Sequence, residues 1–251
     1  MTARDIALDN EILRVEVGST LHGTGIPGQE DRDEMGICIP PPEYLIGLKE
    51  FEHYIYRTAG EGNRSGPDDL DLTIYSLRKY VKLALQGNPS ILLTLFVPED
   101  KIILETKIGR ELMANASWFH SKEAAARYLG YMQSQKLGLT GEKRSGVPKR
   151  PELVEQFGFD TKYAMHATRL GFQGVEFLKT GKITLPMEGA EGQFCRAIRH
   201  GSVPLKTVLE TVDELEQRLK MLQDHPGIPD KPDSDAANRW LIEAHTAWWG
   251  R

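Results

Sequence analysis

Two stretches separated by a short loop constrain this chain more than any other feature of it. Leu13 to Val17 alternates apolar and charged residues as a half-buried strand does, and it runs without a break into Gly18-Ser19-Thr20-Leu21-His22-Gly23. We read Ile12 to Ser19 as the first strand. A strand ending in Gly-Ser lets the backbone approach a phosphate chain, because glycine has no Cβ and the serine hydroxyl can donate a hydrogen bond. Gly23 to Gly28 carries three glycines and Pro27 and is expected to form a loop over that position. Asp31 and Asp33 follow, two apart, just ahead of the apolar run Met35 to Ile39. Residues i and i+2 of a strand point to one face, so the two carboxylates converge. A converging pair suits Mg²⁺, a hard cation that takes oxygen ligands and shares them with substrate phosphates.

The other elements arrange themselves around these stretches. Met35 to Ile39 is the second strand, closed by Pro40-Pro41-Pro42, which cannot continue a ladder. Lys49 to Thr58 reads as a third strand, expected beside the second. Ala59 to Pro67 reads as a hairpin-like turn, and Leu70 to Tyr75 as a short returning strand that carries Asp71. Ser76 is suited to cap a helix from Leu77 to Gln86 that Gly87 stops, and Asn88 to cap another from Pro89 to Phe96. Beyond residue 100 the signals turn helical: Glu105 to Asn115, Ser121 to Gln135 with Ser121 as its cap, Lys162 to Thr180, Pro204 to Gln223 and Asp235 to Trp249. Residues 1–10 read as a polar lead-in. Gly138 to Pro151 reads as a linker holding the basic cluster Lys143, Arg144, Lys149 and Arg150.

The Gly-Ser, loop, Asp-x-Asp order resembles the pattern of the minimal, polymerase-beta-like nucleotidyltransferase superfamily. Further blocks narrow the likeness: Asp71-Leu72-Thr73-Ile74-Tyr75-Ser76-Leu77-Arg78-Lys79-Tyr80, Leu83-Ala84-Leu85-Gln86-Gly87-Asn88-Pro89, Leu129-Gly130-Tyr131 with Gln135, and Lys162-Tyr163-Ala164-Met165-His166-Ala167-Thr168-Arg169-Leu170. In this order, over residues from about 11 to 187, they resemble the RNA-ligase-associated predicted nucleotidyltransferase family. The resemblance implies an α/β fold of the α+β kind, with a mixed sheet and flanking helices followed by an all-helical C-terminal region. It implies a catalytic core over residues 1–100 and a helical domain over 101–251 that closes over the nucleotide.

The chemistry so implied is transfer of an NMP from an NTP to a hydroxyl, with Mg²⁺ or Mn²⁺ as cofactor, the NTP as co-substrate and pyrophosphate as leaving group. Asp31, Asp33 and Asp71 are the expected metal ligands and catalytic residues, with Asp31 and Asp33 bridging metals and Asp71 serving the one that activates the acceptor. Asp69 shares the strand face of Asp71 and is the alternative third acid, while Asp68 and Glu34 are read as solvated. Gly18 and Ser19 are expected at the phosphates, as is Lys79. Lys162, His166, Arg169 and Gln173 fall at i, i+4, i+7 and i+11, a cationic stripe opposite the packing face Ala164, Ala167, Gly171, Val175 and Leu178. Lys162, His166 and Arg169 are thus nucleotide-binding candidates, Arg169 able to grip phosphate bidentately. His166 reads equally as a general acid or a structural histidine.

Composition bounds the partners. A net charge of -5 argues against non-specific coating of nucleic acid, which depends on neutralising many phosphates. No apolar stretch approaches the ~20 residues of a membrane span, and the N-terminus is polar, so we expect no membrane partner and a reducing cytoplasm. Cys38 and Cys195 are far apart, and Cys38 reads as a buried small hydrophobe. Neither His120 nor His166 stands at zinc-ligand spacing. The family likeness points to an RNA end as acceptor. A protein or small-molecule acceptor, or a nucleotide-binding subunit without turnover, remain as alternatives.

Overall fold

The computed structural model describes residues 1–26, 28, 32–60, 66, 69–141 and 150–250. Asp31, Asp68, most of the expected 59–67 turn, and Lys143, Arg144 and Lys149 lie outside the described residues. In chain order the elements are α1 (Ala3–Leu8), β1 (Glu11–Glu16), α2 (Gly18–His22), β2 (Arg32–Cys38), β3 (His53–Arg57), β4 (Leu70–Ser76), α3 (Leu77–Leu85) and α4 (Pro89–Leu92). There follow β5 (Ile102–Glu105), α5 (Lys107–Ala114), α6 (Glu123–Leu139), α7 (Pro151–Phe157), α8 (Thr161–Thr180), α9 (Gly189–Arg199), α10 (Leu205–Gln223) and α11 (Ser234–Trp249). They form two compact units, one of Met1–Gln86, Ser90–Phe119 and Pro232–Arg251, the other of Gly87–Pro89 and His120–Lys231.

The first unit is built on a mixed sheet, which among the described residues has five strands in the order β3-β4-β2-β1-β5. β2 and β4 pair in parallel and the other neighbours antiparallel. Burial alternates along β4, with Leu72, Ile74 and Ser76 buried and Asp71, Thr73 and Tyr75 partly exposed. α1 covers the buried side, where Ala7 packs with Cys38, Leu72 and Ile74. Burial pushes the Cys38 thiol up to about 12, so it stays an unreactive small hydrophobe. α11 belongs to this unit rather than to the helical one: Trp248 Nε1 donates to Asn10 Oδ1 at 3.5 Å and Trp249 Nε1 to the Pro40 carbonyl at 3.0 Å.

On the same side of the sheet lies a buried ion network. Arg14 Nε donates to Glu11 Oε1 at 2.8 Å, and its guanidinium also reaches Glu34 Oε2 at 3.5 Å. Arg32 pairs with the other Glu34 oxygen at 2.6 Å. Glu34, read from sequence as solvated, is instead 2 % exposed. It occupies an inward position of β2, and two arginines compensate its burial.

In the second unit α8 is the central helix, packed by α6, α7, α9 and α10. Ala164, Ala167, Gly171, Val175 and Leu178 are buried as their spacing predicts. So is Gln173, from the opposite stripe, because neighbours surround α8 on more than one side.

Several sequence expectations change. Residues 3–8 are a helix, closed by a capping box in which Thr2 and Asp5 satisfy each other's backbone. The first strand ends at Glu16, since Gly18 adopts φ +76 and starts α2. The third strand lies beside the fourth, because the more buried β4 takes the place next to β2 and leaves the largely exposed β3 at the edge. β5, α7 and α9 had no sequence counterpart. Ser121 does not cap α6: its carbonyl, not its hydroxyl, receives the Ala124 amide at 3.2 Å.

The ion network yields a stability test. Arg14→Met leaves Glu11 and Glu34 buried without their shared cation, and should cost about 3–5 kcal/mol by urea unfolding. A change below about 1 kcal/mol would mean that the network does not hold β1 to β2.

Candidate active site

β2 and β4 run in parallel with Asp33 directly opposite Asp71. In-register neighbours point to the same face, and adjacent strands lie about 4.8 Å apart, so the two carboxylates stand side by side. The antiparallel register of β3 adds Arg57 opposite Asp71, with Nε at 3.9 Å from Oδ1. At the other end of the row the Val17 amide donates to the Asp33 carbonyl at 2.8 Å. Arg57, Asp71, Asp33 and Val17 thus form one line across four adjacent chain segments. Arg57 escaped the sequence reading because its strand was placed beside the wrong neighbour.

Gly18 closes on this line. A Cβ there would lie 2.0 Å from Asp33 Oδ2, and φ of +76 independently favours glycine. The Gly-Ser backbone therefore abuts the Asp33 carboxylate, and Ser19 is the next residue of α2. Gly18 and Asp33 thus meet, while the expected convergence of Asp33 with Asp31 lies outside the described residues. Asp71 joins Gly18 and Asp33 through strand pairing.

Asp71 Oδ1 is buried and has no hydrogen-bond partner among the described residues. Two carboxylates about 5 Å apart repel by about 3 kcal/mol at an effective dielectric near 20. A hard cation bound between them would remove that repulsion and engage the buried oxygen, so the donor set fits Mg²⁺ or Mn²⁺. Among the described residues no group of three His, Cys, Asp or Glu side chains is gathered for a metal, and Asp31 lies outside them. Asp69 is committed elsewhere: its Oδ2 accepts from the Gly66 amide at 2.9 Å and its carbonyl from the Arg32 amide at 2.8 Å.

Lys79 is not brought to the acids. It lies past the far end of β4, roughly 16 Å of extended strand from Asp71, and its Nζ contacts Glu52 Oε2 at 3.0 Å. There it lines a cavity of about 250 Å³ with Lys49, Arg78 and Lys82.

Lys162, His166 and Arg169 belong to the second unit. Asp160 caps α8, its Oδ1 accepting from the Lys162 and Tyr163 amides at 3.0 Å each. Arg169 Nη1 donates to Gln173 Oε1 at 2.8 Å, and Nη2 donates to His166 Nδ1 at 3.4 Å. An imidazole that accepts at Nδ1 is neutral, with its proton on Nε2. Desolvation holds the His166 pKa well below 6.5, reinforced by the charges of Arg169, Lys162, Arg150 and Arg199. Burial also draws Arg169 down to about 10.

The His166 environment has a pH consequence. As pH falls below about 6.5 the unfolded chain binds a proton at His166 that the folded chain refuses, so stability should fall with pH from there downward. His166→Gln should show a smaller loss of urea midpoint between pH 7 and pH 5 than the parent chain; equal losses would place the cause elsewhere.

Comparison with known proteins adds to this geometry. The chain is 27% identical over 149 residues to a 38.9 kDa protein encoded in the nrdC-mobD intergenic region of Enterobacteria phage T4. That match takes in 58% of this chain and 44% of the phage protein, so the chain spans less than half the length of that relative. A crystal structure of a nucleotidyltransferase-like protein from Exiguobacterium sibiricum 255-15 aligns at 11% identity with a TM-score of 0.31, over 98% of this chain and 77% of that one. The RNA repair pathway DNA polymerase beta family (RlaP) matches residues 9–243, nearly the whole length over which the sheet and the helical unit are built. The chain belongs to that family.

Proposed function

We propose that this chain is a metal-dependent nucleotidyltransferase that moves an NMP from an NTP to a hydroxyl acceptor and releases pyrophosphate, with an RNA end as the acceptor. The observation that carries this reading is the in-register pair Asp33 and Asp71 with Gly18 against the Asp33 carboxylate. Membership of a family described by RNA repair supports the choice of acceptor. In the reaction the acceptor oxygen bonds to the α-phosphorus as the bond to the bridging oxygen of the β-phosphate breaks.

Asp33 and Asp71, with Asp31 as the third member, are the metal ligands in this reading. Mg²⁺ or Mn²⁺ bound there supplies neutralisation of the phosphates and a lowered pKa for the acceptor hydroxyl. Gly18 and Ser19 admit the phosphate chain, the glycine by leaving room beside Asp33. In this reading Lys162 and Arg169 offer charge to nucleotide phosphate, and the neutral His166 offers a hydrogen bond from Nε2.

The test is incubation with each of the four α-labelled NTPs, Mg²⁺ or Mn²⁺, and total RNA or total protein. Label should enter RNA with the parent chain, and Asp33→Asn or Asp71→Asn should lower the rate by two to three orders of magnitude, as loss of transition-state charge stabilisation does (~10²–10³). Label in protein would move the acceptor to a protein side chain, and no transfer with any of the four would overturn the reading. Gly18→Ala should lose activity comparably, because its methyl group must displace the Asp33 carboxylate. A fully active, folded Gly18→Ala would separate the Gly-Ser stretch from the chemistry.

A further inference from the structure

Three segments bring cations to the first turns of α8, the helix that carries His166. Arg169 touches His166 at 3.4 Å and Lys162 stands one turn before it, both on α8. Arg150 comes from just ahead of α7, its guanidinium 5.2 Å from the Tyr163 ring centroid and its Nη1 on Asp160 Oδ2 at 3.0 Å. Arg199 comes from the last turn of α9, and its Nη1 reaches Thr161 Oγ1 at 3.4 Å. Among the described residues these four charges add to the desolvation that lowers the pKa of His166. Asp160 is the carboxylate that acts on Arg199, and it already accepts two amides as the cap of α8.

This is a built arrangement rather than a surface scatter of lysines. Arg150 and Asp160 have side chains 18% and 4% exposed, and burial lowers the pKa of both Arg169 and Arg199. His166 and Arg169 keep only part of their surface at solvent. Arginines are costly to crowd and desolvate, and they recur where planar, bidentate recognition of phosphate is needed. A nucleic-acid strand offers one charge per phosphate along a line, whereas these cations gather around the first turns of α8, as suits a compact polyanion.

We propose that Arg150, Lys162, His166, Arg169 and Arg199 form a diphosphate-binding site that takes inorganic pyrophosphate or the β- and γ-phosphates of an NTP. The proposal rests on the nucleotide reading of Lys162, His166 and Arg169, adds Arg150 and Arg199, and fixes which part of the nucleotide they meet. His166 gives the site a signature of its own. Desolvation is the main cause that keeps the imidazole neutral and the cations add to it; a polyanion among them offsets their part, so binding favours proton uptake at His166.

The test is calorimetric titration of the full chain with inorganic pyrophosphate in EDTA at pH 6.5, in two buffers of different ionisation enthalpy. Binding with net proton uptake is expected, with affinity lowered at least tenfold in Arg199→Gln and in Arg150→Gln. Arg199→Lys, which keeps the charge, should recover part of the loss. His166→Gln should still bind but without proton uptake. ATP should compete, whereas AMP and a 5′-hydroxyl RNA oligomer should not. No binding by the folded parent chain, affinity indifferent to both arginine substitutions, or equal competition by AMP or the oligomer would overturn the site. Failure of label transfer with arginine-dependent pyrophosphate binding intact would leave this site standing and remove the transferase reading. Label transfer by a chain that does not bind pyrophosphate would do the reverse.

Discussion

A parallel strand pair fixes its side chains in an all-or-none way. Sliding β2 by one residue against β4 would turn Asp33 away from Asp71 and bring Glu34 to that face. Glu34 resists the slip, because it sits buried against Arg14 and Arg32 and would leave both arginines behind. The apolar members of the same side, Cys38, Leu72 and Ile74, resist it as well. Both faces of one short ladder therefore agree on a single register. The acid pair is the outward expression of an arrangement whose stability lies on the opposite side of the sheet.

The two charge centres are assembled differently. In the sheet unit, residues far apart in sequence meet by pairing, so Arg57, Asp71 and Asp33 stand in a row set by backbone hydrogen bonds. In the helical unit, one helix supplies Lys162, His166 and Arg169 by its own period, and the ends of neighbouring segments add Arg150 and Arg199. A row of acids on a stiff ladder suits a small, geometrically demanding cation. Long cationic side chains converging from helix ends suit a larger anion that can be gripped from several directions.

Much of this could be read from residue order, and the misses have physical causes. Leu70 to Tyr75 carries its own alternation, so the strand and its Asp71 were visible, and Ser76 caps α3 through the Lys79 amide as its type suggests. Pairing partners were not visible: nothing local in His53–Arg57 says that it joins β4, and with that choice wrong Arg57 was lost to the site. Lys79 was drawn in by its place in a recognisable block, yet strand length carries it away from the acids. α1 and β5 are too short to show a period and are held by Thr2 with Asp5, and by pairing to β1. Arg150 and Arg199 lie outside the motif helix, and their approach to the first turns of α8 is tertiary.

The return of α11 to the sheet unit matters for how the molecule is made. Residues 120–231 lie within the helical unit and can pack as soon as they have left the ribosome. The sheet unit must wait for residues 232–250, because Trp240 reaches Glu111, Trp248 reaches Asn10 and Trp249 reaches Pro40 only once that helix has been synthesised. The part of the protein that carries the aspartates is thus split in sequence, with the helical unit inserted between its segments. A nascent chain extended just through residue 231 would hold the whole helical unit while the sheet unit still lacked α11.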